Sequence, residues 1–173
     1  VEPVNCGGKT EKDNGNGSLM RILPLAYLCK NNNTEQMLKL IEDISSITHA
    51  HSRSKLACII YVIFASKLIQ GKEKMNAYEE TIEFVRNNCY ENYANEFKNF
   101  EPIMNKNIIN CNLEEIKSTG YVIDTLEAVF WLFFTKNSYK EMVLGAVNLG
   151  GDTDTIAAIV GGLSGIYYGF NLL

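Results

Sequence analysis

The stretch NLGGDTDTIAA, residues 148–158, places two aspartates and two threonines between a glycine pair and an apolar run of helical spacing. Carboxylate and hydroxyl oxygens are the ligands that Mg²⁺ and other hard cations prefer. A helix start accounts for part of the pattern, because Asp152 or Thr153 can serve as an N-cap and Asp154 suits the first helical turn. One cap needs only one such residue, so the stretch favours a metal site over a cap alone.

Three further segments accompany this motif along the chain. They are GNGSLMRILPLAY at 15–27, THAHSRSKLACIIYV at 48–62 and GYVIDTLEAVFW at 120–131, and the motif itself continues as GGDTDTIAAIVGG at 150–162. In this order the four segments resemble the ADP-ribosylglycohydrolases of the dinitrogenase-reductase-activating type. The resemblance extends from Gly15 to the C-terminus.

The resemblance implies an all-α, orthogonal multi-helix bundle with a metal cluster at the N-terminus of the final helix. It implies that Asp152, Asp154 and Thr155 bind metal, with two Mg²⁺ or Mn²⁺ ions in a complete site. The implied reaction is hydrolysis of the bond that joins ADP-ribose to a protein side chain or a small molecule. Metal ions in such a site orient the ribose hydroxyls and lower the pKa of a bound water.

Two N-terminal motifs of that family are absent from the 173 residues, a Gly-Asp-Ala-x-Gly helix and a Thr-Asp-Asp-Thr segment. In the family they carry the rest of the metal shell and the general base, so we assign no catalytic residue here. We expect residues 1–173 to form one domain, the C-terminal portion of such an enzyme without its N-terminal helices. A separate N-terminal fragment is then a partner that can complete the site.

A second hypothesis is a non-catalytic member that binds ADP-ribose or has a structural, crystallin-like role. Such a protein has no need to keep three metal-ligand residue types together. The presence of Asp152, Asp154 and Thr155 therefore argues for the enzyme.

The segment GNGS at 15–18 begins a predicted helix, where free backbone amides and the helix dipole can receive a phosphate. By itself such a segment is more typical of a turn. The resemblance instead favours the ligand-binding role and implies a pocket for ADP-ribose. The residues implied to line it are Gly15, Asn16, Gly17, Ser18, Met20, His49, His51, Tyr121, Gly150 and Gly151.

Four of the polar and aromatic candidates have more than one interpretation. His49 and His51 cannot share a helical face at i, i+2 spacing, so joint metal binding from a helix is disfavoured. The resemblance implies that one of them contacts the nucleotide, with His49 preferred, and a core or loop role is the alternative for each. Tyr121 can stack on a nucleotide or occupy the core with its hydroxyl hydrogen-bonded. Arg21 is expected to face a diphosphate or a carboxylate, or to form a salt bridge.

Apolar residues recur at helical spacing, and no alternating strand pattern of useful length is present. We predict a helix from Thr34 to near Thr48, with the asparagines at 31–33 as the preceding loop. Further helices are predicted at about 56–68, 76–88, 93–100, 122–133, 138–150 and 154–168. Ser138 and Glu141 are predicted to form a capping box. Gly161, Gly165 and Gly169, at four-residue steps, are predicted to allow close approach of a neighbouring helix.

Composition excludes several classes of protein. The net charge of −4, without a basic stripe, argues against nucleic acid as a partner. Five widely spaced cysteines without a Cys-x-x-Cys pair indicate reduced thiols and a cytoplasmic location. There is no signal-peptide pattern, and the longest apolar stretch, at 56–65, is too short to span a bilayer, so we expect no membrane association.

Overall fold

The computed structural model of the chain describes residues 2–29 and 33–169. These residues form helices joined by turns and loops, and none of them forms a β-strand. The predicted all-α class is therefore confirmed. The helices are α1 (Leu25–Leu28), α2 (Thr34–Ser46), α3 (Ser52–Ile69), α4 (Lys74–Phe97), α5 (Glu101–Met104), α6 (Val122–Thr135), α7 (Tyr139–Asn148) and α8 (Thr153–Tyr168), joined in places by short 3₁₀ turns. None of the helices in this described part combines the length and apolar character that a bilayer span requires.

Helix α3 lies at the centre of the bundle and contacts α1, α2, α4, α6 and α8. Its residues from Leu56 to Ser66 are all buried, as the uninterrupted apolar run predicts. Aromatic side chains from three helices meet at its C-terminal half, where the Phe64 ring lies 4.9 Å from that of Phe130 and 6.1 Å from that of Tyr78. This core holds α3 in place. The N-terminal end of the same helix reaches the candidate site.

The predicted starts of α2, α6, α7 and α8 are confirmed to within a residue, whereas residues 15–18 form a turn before a short 3₁₀ helix (Leu19–Arg21) and do not begin an α-helix as predicted. Asn33 caps α2 by accepting a hydrogen bond from the Gln36 amide at 2.9 Å, and the predicted loop residues Asn31 and Asn32 lie outside the described residues. The Ser138 hydroxyl caps α7 by accepting from the Glu141 amide at 3.1 Å. The Glu141 carboxylate, however, accepts from the Asn137 amide, so the capping box is not reciprocal as predicted.

The two helices predicted at 76–88 and 93–100 are confirmed in part, because α4 (Lys74–Phe97) consists of two helical parts that meet at a kink. The kink lies at Tyr93, which departs from helical geometry with φ −126°. The Tyr93 side chain is buried, and its hydroxyl donates to the Glu42 carboxylate on α2 at 2.6 Å. The predicted bounds were wrong, because the first part begins at Lys74 and extends beyond residue 88, where polar residues obscured it in the sequence.

The glycine stripe on α8 is not a surface of close helix approach. A Cβ on Gly165 would meet no atom within 4 Å, and one on Gly161 would make ordinary contacts with α7 at 3.6 and 3.7 Å. Gly169 has a positive φ of 73° and ends the helix. The crowded glycine is Gly162, where a Cβ would lie 2.5 Å from the Leu23 side chain.

Candidate functional site

The start of α8 is shaped by the glycine pair that precedes it. Gly150 and Gly151 have positive φ values of 76° and 65°, a conformation that favours glycine. A Cβ on Gly151 would also collide with the Ser118 carbonyl. The Asp152 amide donates to that same carbonyl oxygen at 2.8 Å. The glycines therefore allow the chain to turn tightly against residue 118 and to present Asp152 at the helix start.

The Asp152 carboxylate does not cap its own helix, although Asp152 occupies the N-cap position. Its Oδ2 accepts a hydrogen bond from Asn16 Nδ2 at 2.6 Å, and its Oδ1 accepts one from the Thr155 hydroxyl at 3.0 Å. The helix-start interpretation thus accounts for the position of Asp152 in the chain. It does not account for the direction of its carboxylate.

Asn16 connects the start of α8 to two other segments. Its Nδ2 also donates to the Thr125 hydroxyl on α6 at 2.9 Å, and its backbone amide donates to the Gly120 carbonyl at 3.0 Å. Gly15, which precedes Asn16, forms an isolated β-bridge with Tyr121, which follows Gly120. Segments far apart in the chain, around residues 16, 121 and 152, therefore meet at one place.

His49 lies against the glycines of the 15–18 segment. A Cβ on Gly17 would come within 2.9 Å of His49 Cε1, and one on Gly15 within 3.4 Å of Nε2. His49 Nδ1 lies 2.7 Å from the Thr48 hydroxyl, which accepts a hydrogen bond from Arg21 at 2.7 Å. Since the Thr48 hydroxyl has no other acceptor among the described residues, we assign its proton to the bond with Nδ1, which leaves Nε2 protonated in neutral His49.

The pKa of His49 lies below its usual range, because burial disfavours the imidazolium and the Arg21 charge repels it, with Asp13 partly opposing both. His49 is therefore neutral near pH 7. Its protonated Nε2 is a hydrogen-bond donor on the side of the ring that faces Gly15.

The second histidine has a different environment. His51 is the N-cap of α3, and its Nδ1 accepts a hydrogen bond from the Arg53 amide at 3.1 Å. The structure thus places His49 beside the glycine segment and gives His51 a helix-capping bond, as the i, i+2 spacing suggests.

Two other candidates are less available than the resemblance implied. The Ser18 side chain is fully buried, and its hydroxyl accepts from Cys58 Sγ at 3.4 Å. Arg21 donates to the Gly17 and Ile44 carbonyls, so its guanidinium is occupied by the protein and forms no salt bridge within the described residues. Gly150, by contrast, is exposed, and a Cβ on it would meet nothing within 4 Å.

The remaining candidates lie at accessible positions. Met20 is 52% exposed, one helical turn after Asn16, whose carbonyl accepts from the Met20 amide. Tyr121 is half-buried, and its hydroxyl accepts a hydrogen bond from Arg53 at 2.9 Å. Asp154 is exposed in the first turn of α8.

The described residues do not form a complete metal site. Within 2–29 and 33–169, no group of three or more histidine, cysteine, aspartate or glutamate side chains is arranged to hold an ion. No lysine or arginine in these ranges forms an ion pair with Asp152 or Asp154. Two carboxylates and the Thr155 hydroxyl fit a hard cation by donor type, but they leave most of its coordination positions to other ligands.

Sequence reasoning missed several residues that build this region. Thr125 lies within an apolar helix, and Arg53 follows the two histidines without a pattern that singles it out. Asn14 is buried, and its Oδ1 accepts from the Ser54 hydroxyl at 2.8 Å. No periodic pattern marks such residues, because their partners lie far away in the chain.

Comparison with known proteins identifies the family. The model of the ADP-ribosylglycohydrolase family matches residues 2–173. The chain is 30% identical over 160 residues to the ADP-ribosyl-(dinitrogen reductase) glycohydrolase of Rhodospirillum rubrum, covering 92% of this chain and 48% of that protein. It is 28% identical over 155 residues to the ADP-ribosylarginine hydrolase Tri1 of Pseudomonas putida, covering 90% of this chain and 38% of that protein.

A more distant relative and a solved structure agree with this result. The mouse ADP-ribosylhydrolase ARH3 is 23% identical over 200 residues, covering 97% of this chain and 53% of that protein. The solved structure of an ADP-ribosylglycohydrolase-related protein complex superposes with a TM-score of 0.71 at 25% identity, covering 95% of this chain and 54% of the other. The chain spans about half the length of these relatives or less. On the strength of the family match along almost its entire length, this chain belongs to the ADP-ribosylglycohydrolase family.

Proposed function

We propose that this chain forms part of a metal-dependent hydrolase that removes ADP-ribose from a modified protein or a small molecule. The names of its relatives support the reaction class, since they describe hydrolases of ADP-ribosylarginine and of an ADP-ribosylated reductase. In this proposal the chain supplies one wall of the ADP-ribose pocket and part of the metal shell.

The observation that carries the proposal is the environment of the Asp152 carboxylate. It accepts hydrogen bonds from the neutral groups of Asn16 and Thr155, makes no cap bond to α8, and has no lysine or arginine partner among the described residues. A carboxylate held in place without a cation from the protein suits a bound cation. Asp154 lies two residues further along the chain and is exposed. Together with Asp152 and Thr155 it offers the oxygen donors that suit Mg²⁺ or Mn²⁺.

Asp152, Asp154 and Thr155 are the residues that would hold the metal in this proposal. When bound, two such ions activate a water and orient the ribose hydroxyls. The chain's own residues have separate tasks. Asn16 fixes the direction of the Asp152 carboxylate, and Gly15 and Gly17 leave room for the His49 ring.

His49 provides a polar contact in the same pocket. Its neutral ring offers the Nε2 proton to an oxygen or nitrogen acceptor of the nucleotide. Met20 and Tyr121 provide apolar and aromatic surface near the same segment. These assignments place one hydrogen-bond donor and two apolar contacts around the glycine segment.

The proposed site requires ligands beyond those of residues 1–173. Two hard cations have about twelve coordination positions in total, and Asp152, Asp154 and Thr155 fill only some of them. We therefore propose that full activity needs further carboxylates, from additional chain or from a separate N-terminal fragment. Residues 1–173 alone should show little or no hydrolysis of ADP-ribosylated protein.

Calorimetric titration with ADP-ribose, with and without Mg²⁺, tests the proposal. We expect binding that strengthens with Mg²⁺ and that Asp152→Asn and Asp154→Asn make insensitive to the ion. Asp43→Asn is the matched control, because Asp43 is a solvent-accessible aspartate that pairs with Lys39 on α2. ADP-ribose binding that neither Mg²⁺ nor these variants alter would indicate a non-catalytic binding protein.

A turnover assay with ADP-ribosylated protein and Mg²⁺ tests the requirement for further ligands. We expect addition of the N-terminal portion of a relative, in cis or in trans, to raise the rate. Full turnover by residues 1–173 alone, abolished by Asp154→Ala, would show that the chain already holds a complete site.

A further inference from the structure

We propose that Arg53 is a positioning residue that fixes, through the Tyr121 hydroxyl, the two segments that form the ADP-ribose pocket. The functional part of this inference rests on the proposed function, whereas the positioning itself is a property of the fold. Arg53 contacts none of the proposed metal ligands. Its effect passes through other residues.

Arg53 joins three distant parts of the chain. From the first turn of α3, its Nε donates to Glu96 at the end of α4 at 2.8 Å. Its Nη1 donates to the Tyr121 hydroxyl at 2.9 Å, and its Nη2 donates to Glu11 at 3.1 Å. Only 11% of the Arg53 side chain is exposed, so these bonds are largely shielded from water.

The Glu96 carboxylate anchors this arrangement. It lies as deep as Arg53, with 11% of its side chain exposed, and it also accepts from Ser52 and Asn99. Burial by itself raises the pKa of Glu96, but the hydrogen bond and charge of Arg53, with smaller contributions from Asn99 and His51, together outweigh burial and hold the pKa below its usual range. The pair remains charged near pH 7. With one side of the guanidinium fixed in this way, the Nη1 group has a defined direction toward Tyr121.

Tyr121 carries this restraint into the pocket through the backbone. The β-bridge joins it to Gly15, the Val122 amide donates to the Asn14 carbonyl at 2.9 Å, and the Asn16 amide donates to the Gly120 carbonyl at 3.0 Å. A displacement of Tyr121 therefore displaces Asn16, whose side chain orients the Asp152 carboxylate.

The neighbouring residue on α3 holds the other side of the same bridge. The Ser54 hydroxyl donates to the buried Asn14 Oδ1 at 2.8 Å. Consecutive residues of one helical turn thus hold the 14–17 segment and the 120–122 segment. This arrangement distinguishes Arg53 from an ion pair that serves stability alone, which would need no bond to Tyr121.

Arginine is suited to this role because its planar group donates in several fixed directions at once. Lysine can keep an ion pair with Glu96, but it has no rigid fork with which to hold Tyr121 as well. Arg53→Lys therefore separates positioning from stability. Tyr121→Phe removes only the hydroxyl and keeps the ring for contacts with a ligand.

Hydrogen exchange of the backbone amides tests the positioning directly. We expect Arg53→Lys and Tyr121→Phe each to speed exchange at Asn16 and Val122 about tenfold, the equivalent of one charge-assisted hydrogen bond. The double variant should exchange no faster than the faster single variant, because both changes remove the same bond. Lys67→Met, which breaks an ion pair with Glu80 near the far end of α3, should leave these amides unchanged.

Two results would overturn the positioning role. One is wild-type exchange rates at Asn16 and Val122 in Arg53→Lys. The other is independent, multiplying effects of the two single changes in the double variant. Tyr121→Phe supplies a mild second test if Arg53→Lys lowers the melting temperature as a whole.

Calorimetry with ADP-ribose and Mg²⁺ tests the functional part. We expect Arg53→Lys and Tyr121→Phe each to weaken ADP-ribose binding by about tenfold, again without further loss in the double variant. Unchanged affinity in both variants would show that the pocket does not depend on Arg53. A wild-type chain that fails to bind ADP-ribose would instead contradict the proposed function, while the exchange data would still decide the positioning.

Discussion

Two polar clusters lie in this helical bundle, and they differ in how their charges are matched. In the cluster around Arg53, an arginine and Glu96 neutralise each other and are both largely buried. In the cluster around Asp152, the carboxylate receives only an amide from Asn16 and a hydroxyl from Thr155. The first cluster contains its own counter-charge. The second has none among the described residues.

The difference in charge matching suggests different roles. The Arg53 cluster holds parts of the fold together, and the Asp152 cluster is the proposed cation site. Removal of one partner from a buried ion pair leaves an uncompensated charge and destabilises the fold. Removal of a carboxylate that lacks a protein cation leaves no uncompensated charge. We therefore expect Glu96 to matter mainly for stability and Asp152 mainly for cation binding.

The largest expected effect is on the matched cluster. Glu96→Ala should lower the free energy of unfolding by about 3 kcal/mol, because the Arg53 charge remains in a largely buried position. Glu80→Ala is the matched control on the same helix. Glu80 is 33% exposed and pairs with Lys67 and Lys72, so its loss should cost less than about 1 kcal/mol. Urea unfolding measures both variants, and equal losses would contradict the distinction between the two carboxylates.

Much of the fold follows from local sequence, and α3 and α4 show the limit. The nearly continuous apolar residues at 56–68 predict a helix enclosed by others, and the structure agrees. Helix α4 has a polar composition, and at its kink the Tyr93 hydroxyl donates to Glu42 on α2. Tertiary contacts of this kind leave no periodic signal.

The candidate site shows the same limit at the level of single residues. The resemblance pointed to Asp152, Asn16 and His49 before their mutual distances were known. It did not point to Arg53, because one arginine three residues before an apolar run has many possible partners. Its three partners, Glu11, Glu96 and Tyr121, are brought together only in the assembled bundle.

The second-largest expected effect on stability concerns Glu127, a partly buried carboxylate with no arginine partner among the described residues. Burial, with the nearby Asp124 charge, raises the pKa of Glu127 to about 7, and Lys117 only partly opposes this. The folded state therefore holds a proton that the unfolded state releases at lower pH, so stability falls as the pH rises from about 4.5 through 7. Glu127→Gln removes this loss. Relative to the wild-type chain, the variant should therefore gain about 1 to 2 kcal/mol in free energy of unfolding between pH 5 and pH 8.

Thermal unfolding at both pH values measures the Glu127→Gln effect. Asp124→Asn should give a smaller shift in the same direction, because it removes only the second cause of the raised pKa. A Glu127→Gln variant whose relative stability does not change with pH would show that water reaches this carboxylate freely.

A smaller pH effect is expected at His49. Its pKa is lowered by burial and by Arg21, so the folded state resists protonation. Stability is fully present above the unfolded pKa of about 6.5 and is lost as the pH falls through the window below it. His49→Gln should flatten the part of the stability profile just below pH 6.5. A profile with the same slope in the variant would assign the acid sensitivity to other groups.

The smallest expected change in stability is at Asp152, and it tests the comparison most directly. Asp152→Asn keeps an oxygen that can accept from Asn16 and removes a charge that no described lysine or arginine matches. Without metal, it should alter the free energy of unfolding by less than about 0.5 kcal/mol. Mg²⁺ should raise the melting temperature of the wild-type chain, because a ligand stabilises the state that binds it, and should leave Asp152→Asn unchanged. A loss of 2 kcal/mol or more in metal-free Asp152→Asn would instead make Asp152 a structural residue like Glu96, since only a group that the fold itself requires produces such a loss.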